Sequence, residues 1–204
     1  MIGKGSTTNV LQAEEARHLI AQAFDGLPLD GKRVLVIIPD GTRTAPTPLM
    51  FRLLYEQIGR RVAQLDYLIA LGTHPPMSED AIEKLVGVAA AERKDRFPNV
   101  HIYNHRWDRP EALQTIGVIS RDQVAAITGG LLSEEIPVRL NRLILDYDQI
   151  VICGPVFPHE VVGFSGGAKY FFPGIAGADI INATHWLGAL VTSMKTIGVK
   201  DTPV

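Results

Sequence analysis

Hydrophobic positions along the chain follow two rhythms. Arg33-Val-Leu-Val-Ile-Ile38 runs apolar without a polar face, which predicts a strand covered on both sides, and it closes at the turn signal Pro39-Asp40-Gly41. Leu49, Phe51, Leu53, Leu54, Ile58 and Val62 then recur at roughly helical spacing, with Pro48 suited to a first turn. Asp66-Tyr-Leu-Ile-Ala-Leu71 predicts a second strand, broken by Gly72-Thr-His-Pro-Pro. Ser78, followed by Glu79 and Asp80, predicts an N-cap and a helix running to about Val86. Asn99 to Tyr103, Leu113 to Ile119 and Gln149 to Cys153 read as further strands, whereas Val138 to Leu145 fits helix or strand equally. Upstream, Val10 to Phe24 is helical, with Ala16, Leu19, Ile20 and Ala23 spaced as one face.

Strands alternating with helices predict the α/β class: a three-layer domain with a largely parallel, Rossmann-like sheet. Neither an internal repeat nor a dividing linker interrupts the pattern, so residues 1–204 read as one domain. The 46% hydrophobic content supports a real core and excludes a disordered tail. A formal charge of −2 argues against a nucleic-acid groove, which needs a basic excess. No apolar run approaches membrane-spanning length, and the first residues lack a signal-like apolar region. A cytoplasmic protein without nucleic-acid or membrane partners is the expectation. The single cysteine, Cys153, sits in a strand-like run and reads as a packed thiol.

In open parallel sheets, ligands bind beyond the carboxyl ends of the strands. Those ends carry Asp40-Gly-Thr-Arg43, Gly72-Thr-His74, Asn104-His105 and Pro158-His159. Asp40 and Arg43 suit a solvated turn with a helix-capping carboxylate. They also suit an anion site, with the Arg43 fork on phosphate or carboxylate and Asp40 accepting from a hydroxyl. Gly163-Phe-Ser-Gly-Gly-Ala-Lys169 lets backbone amides close on a ligand and hold Lys169 against it. It is not a Walker A loop, because Ala168 precedes the lysine and Tyr170 follows it. Lys169 could serve as a cation or, if desolvated, as an amine that bonds covalently to a carbonyl-type group. His18 and His101 read as structural or exposed, and His105 leans structural. His74, His159 and His185 lie in turn-like segments, and no spacing supports a conventional zinc site.

Taken together, Asp40-Gly-Thr-Arg-Thr-Ala-Pro-Thr-Pro48, Leu71-Gly-Thr-His-Pro-Pro-Met77, Pro158-His159, Gly163 to Lys169 and Asn182-Ala-Thr-His185 resemble the N-terminal half of the nickel-dependent lactate racemase family. Lys169 falls ten residues after His159, and His185 sixteen after Lys169, as in that family. The resemblance implies a nickel pincer nucleotide (nickel pyridinium-3,5-bisthiocarboxylate mononucleotide) held covalently by Lys169, with His185 as the protein ligand to nickel. It implies that Asp40, Gly41, Thr42 and Arg43 bind the nucleotide and that His74 and His159 form the acid/base pair. The implied reaction racemises or epimerises a lactate-like 2-hydroxy acid by hydride abstraction and return. Histidine suits an acid/base pair that must be protonated in one half-reaction and neutral in the other.

The same resemblance implies partners: a small-molecule 2-hydroxy acid, cofactor-building enzymes, and a C-terminal domain that is absent from this chain, without which the fragment is expected to be inactive. Two alternatives stand beside this reading. One is a non-catalytic nucleotide- or metal-binding domain. The other is a family relative performing a different isomerisation or redox reaction on a hydroxy or sugar acid.

Overall fold

The computed structural model describes residues 1–204, apart from the side chain of Ser193. Its centre is a four-stranded parallel sheet. The strands are β1 (Arg33–Ile38), β2 (Gln64–Ile69), β3 (Ile102–Asn104) and β6 (Gln149–Ile152), in the order β3-β2-β1-β6. Two further strands, β4 (Leu113–Ile119) and β5 (Ile136–Asn141), pair antiparallel as a separate ribbon, and β7 (Pro158–His159) with β8 (Gly163–Phe164) makes a short hairpin.

The unbroken apolar run of β1 has its explanation in two cores. Val34, Val36 and Ile38 face one side, against Phe24, Phe51, Leu54, Ile58, Ile82, Leu85 and Val86. Those residues come mostly from α1 (Ala13–Phe24), α2 (Thr47–Ile58) and α3 (Glu79–Val86). Leu35 and Ile37 face the other side, against Val124 of α5 (Arg121–Ile127), Ile136 and Leu140 of β5, and Ile180 and Ala183 of α6 (Ala178–Val191). Burying each such aliphatic side chain contributes about 1.5–3 kcal/mol before the cost of ordering the chain. The expected three layers are therefore present, with the ribbon sharing the second outer layer with helices.

Local chemistry sets the element ends. Ser78 Oγ accepts from Ala81 N at the start of α3, and Gly87 closes that helix in the left-handed region, φ 65°. A short helix, α4 (Ala90–Arg96), follows; α7 (Ser193–Thr196) lies near the C-terminal end. The ambiguous stretch from Val138 resolves into both alternatives, strand to Asn141 and then a 3-10 helix over Arg142–Asp146. Leu113–Ile119 is a strand as expected, but it pairs with β5 rather than joining the parallel sheet. The buried face of α1 is set by Phe24 and Ile20; Ala23 is exposed. Cys153 packs against the first core, where burial pushes its thiol up to about 11. Among the described residues, no helix is long and apolar enough to cross a membrane.

Candidate active site

β1 is the strand where the winding reverses: β2 and β3 lie to one side of it and β6 to the other. The crevice beyond the carboxyl ends of β1 and β6 is where such sheets bind ligands. A cavity of about 250 Å³ opens there, and Asp40, Arg43, His74, His159, Lys169 and His185 all line it. Four separate segments contribute: the β1 end, the β2 end, the 155–174 region beyond β6, and α6.

Asp40 is buried, unlike the solvated turn its sequence also allowed. Its Oδ1 accepts from Thr42 N at 3.1 Å and Thr42 Oγ1 at 2.5 Å, and its Oδ2 meets His74 Nδ1 at 2.5 Å. Burial works to raise its pKa, but the hydrogen bonds from Thr42 and His74 outweigh burial and hold the carboxyl below its ordinary value. Asp40 therefore acts first on Thr42 and His74, a contact that its sequence did not announce. Arg43 is exposed at the cavity wall, and Gly41 and Thr42 form the exposed turn between them.

His159 sits at the end of β7, opposite Gly163 of β8. Its Nδ1 accepts from Val161 N at 3.1 Å. Burial lowers its pKa, the nearby charge of Lys169 lowers it further, and Glu160 opposes both. Lys169 lies in the 3-10 turn Gly167–Tyr170, behind Gly166 at φ 85°. Burial, then the like charge of Arg43, lowers the pKa of its amine. His185 projects from α6, where its Nδ1 meets the Ile181 carbonyl oxygen at 2.6 Å. That bond places the proton on Nδ1 and leaves Nε2 bare, the form an imidazole takes as a metal ligand. Among the described residues, no cluster of three or more His, Cys, Asp or Glu forms a metal cage.

The end of β3, which carries Asn104 and His105, does not enter the cavity. Asn104 instead pins the chain at Met77, accepting from Met77 N at 2.9 Å and donating to Met77 O at 3.0 Å. His105 is buried; its Nε2 meets Ala176 O at 3.0 Å and its Nδ1 faces Asn141 Nδ2 at 3.1 Å. The two residues brace site-bearing segments from behind. Glu160, Ser165, Tyr170 and Thr184 also line the cavity; sequence reasoning assigned none of them a role, although Ser165 and Thr184 lie within motifs it singled out. Only adjacency to His159 and Lys169 marked Glu160 and Tyr170 beforehand.

A profile of the lactate racemase N-terminal domain matches residues 13–198. The chain belongs to this family. It is 29% identical to the lactate racemase of Thermoanaerobacterium thermosaccharolyticum over 156 residues, covering 76% of this chain and 32% of that protein. The lactate racemase of Lactiplantibacillus plantarum is 28% identical over 169 residues, covering 81% of this chain and 35% of that protein. Among solved structures, a Thermotoga maritima protein superposes with a TM-score of 0.84 at 35% identity, over 95% of this chain and 45% of that one. The lactate racemase apoprotein of T. thermosaccharolyticum gives a TM-score of 0.65 at 27% identity, over 84% and 37%. The chain thus spans about a third of the length of the curated relatives it matches.

Proposed function

We propose that this domain carries the cofactor and the acid/base pair of a racemase or epimerase acting on a lactate-like 2-hydroxy acid. The observation that supports it most is the convergence of His74, His159, Lys169 and His185 on one cavity, from segments far apart in sequence.

The residues present fit a nickel pincer nucleotide. Lys169 has a half-buried amine of lowered pKa, suited to a covalent link. Arg43 beside it favours the negative charge of a nucleotide phosphate, with Asp40, Gly41 and Thr42 forming the adjoining turn. His185 offers the bare Nε2, and one imidazole suits a metal whose remaining ligands come from the cofactor. When bound, the cofactor supplies an electrophile that accepts hydride from the substrate carbon and returns it.

The chain's own residues then handle protons. A base takes the hydroxyl proton as the carbon is oxidised, and an acid returns a proton to the oxygen after the hydride comes back on the other face. His74 and His159 fill those roles, one for each orientation of the hydroxyl. Exclusion of water and capture of the substrate carboxylate fall to the remainder of the full-length protein, which is proposed to close over the cavity. The other partners are the 2-hydroxy acid and the enzymes that build the cofactor, and the setting is the cytoplasm.

The test is intact mass and metal analysis of the full-length protein co-expressed with cofactor-building enzymes. A mass increment on Lys169 with about one nickel per chain is expected, and Lys169→Ala should lose both covalent increment and retention. An unmodified Lys169 beside a normally loading control would move the weight to a non-catalytic binding domain.

A further inference from the structure

Two of the three histidines that line the cavity, His74 and His159, are met at Nδ1 by groups of opposite hydrogen-bonding character. For His74 the partner is the Asp40 carboxylate, at 2.5 Å. An ionised carboxylate only accepts, so His74 Nδ1 carries a proton, and in the neutral ring Nε2 presents a lone pair. For His159 the partner is the Val161 backbone N–H at 3.1 Å, with Val162 N farther off at 3.5 Å. A backbone N–H only donates, so His159 Nδ1 is bare and the proton of the neutral ring sits on Nε2. No partner at either Nε2 is found among the described residues.

We propose that the resting site holds His74 and His159 in opposite tautomers, and that Glu160 is the positioning residue that converts His159 into a base. At rest His74 can take a proton at Nε2, whereas His159 can only donate a hydrogen bond from its Nε2–H. For His159 to take a proton at Nε2, the ring must first release that proton to solvent and gain one at Nδ1. The new Nδ1–H then needs an acceptor where Val161 N–H now points. Glu160 Oε2 lies 3.7 Å from Nδ1 on an exposed side chain, close enough to supply one after a small shift. The other charges acting on His159, from Lys169, Arg43 and His185, all oppose a cation there; Glu160 alone favours it. Asp40 serves His74 permanently, and Glu160 would serve His159 on demand.

The tautomers follow from the geometry alone; the role of Glu160 in turnover rests on the racemase reading. The test is long-range ¹H–¹⁵N correlation of the intact protein labelled at histidine, at alkaline pH, with resonances assigned by single His→Gln variants. The expected result is Nδ1–H for His74 and Nε2–H for His159; the same tautomer for both would overturn the proposal. Val161→Pro removes the nearer donor, so His159 should shift towards Nδ1–H, and adding Glu160→Ala, which removes the acceptor, should reverse most of that shift. If Val161→Pro does not fold, kinetics of the loaded Glu160→Ala enzyme decide. Because two enantiomers have equal free energy, kcat/KM must fall equally in both directions, by roughly tenfold or more. A loss under twofold would remove Glu160 from the mechanism. A loaded wild type that interconverts no 2-hydroxy acid, yet shows opposite tautomers, would sink the racemase reading and leave the tautomer assignment standing.

Discussion

His74 Nδ1 stands 2.5 Å from Asp40 Oδ2 across 34 residues of sequence, joining the ends of two adjacent parallel strands. The register of β1 on β2 pairs Ile38 with Ile69, so the segments leaving both strands emerge side by side. Asp40 is thereby placed to fix the orientation and tautomer of His74 while remaining buried itself. Asp40→Asn keeps the shape but replaces a permanent acceptor with a group that can present a donor. On the proposed function, kcat of the loaded full-length enzyme is expected to fall about 10²-fold or more, with the fold intact by circular dichroism. An unchanged kcat would show that His74 needs no partner.

The same carboxyl makes stability depend on acid. Its folded pKa is lowered, so its stabilising contribution is present above the unfolded value of about 3.9 and is lost as pH falls through the folded value. Wild type should therefore lose more thermal stability than Asp40→Asn between pH 5 and pH 3. Parallel melting curves for the two proteins across that window would contradict the assignment.

His105 gives a second acid dependence, of separate origin. Burial lowers its pKa, so the folded state holds the ring neutral while the unfolded state binds a proton near pH 6.5. The resulting stability is full above that pH and declines as pH falls from about 6.5 towards the folded value. Urea titrations at pH 7.5 and 5.5 should show the decline in wild type and a flatter response in His105→Gln. At pH 7.5 the variant should also be less stable by about 1–3 kcal/mol, since Ala176 O and Asn141 Nδ2 lose a well-placed partner.

What the sequence made legible follows from which forces are local. β1 was readable because a strand buried on both faces must be apolar at every position, and Leu35 and Val36 do face different cores. α3 was readable because Ser78 caps it through its own side chain. The pairing of Leu113–Ile119 with β5 was not, since a strand's own pattern does not name its partner. His74 and His159 were visible as residues at strand ends and in turns, whereas His185, read as part of a turn-like segment, stands inside α6, because the apolar residues Ile180, Ile181, Ala183 and Leu187 around it pack as a helix. The bonds that set their proton positions, Asp40 on His74 and Val161 N–H on His159, exist only once separate segments or a particular turn bring them together. Asn104 and His105 carried the same strand-end signature yet turn inwards, because Met77 and Ala176 offer them backbone partners.

Gly166 is the position on which the lysine turn depends. Its φ of 85° lies where side chains are strained, and a Cβ there would come within 2.6 Å of Val156 Cγ2 and 3.1 Å of Pro155 O. Gly166→Ala should cost about 1–3 kcal/mol from backbone strain and crowding together. Because Lys169 N donates to Gly166 O at 3.0 Å, the variant should also displace the lysine from the cavity wall. Denaturant unfolding measures the first effect, and covalent cofactor loading the second. Full loading would show that the turn accommodates the methyl group.

Lys169 allows a test that needs no cofactor. A lowered amine pKa raises the fraction of free base at a given pH, and free base is what attacks an acylating reagent. At pH 7.5 and limiting reagent, peptide mapping should find Lys169 acylated faster than Lys32 or Lys84, for which exposure rather than reactivity is the advantage. Half-burial works against access, so a faster rate at Lys169 can only reflect its chemistry. Arg43→Ala removes a like charge and should raise the Lys169 pKa part of the way back, slowing its acylation. Burial is the larger cause of the shift, so Lys169 should remain faster than the other two even then. Equal rates at all three lysines in wild type would mean that the cavity does not activate this amine, and its proposed covalent role would lose its chemical basis.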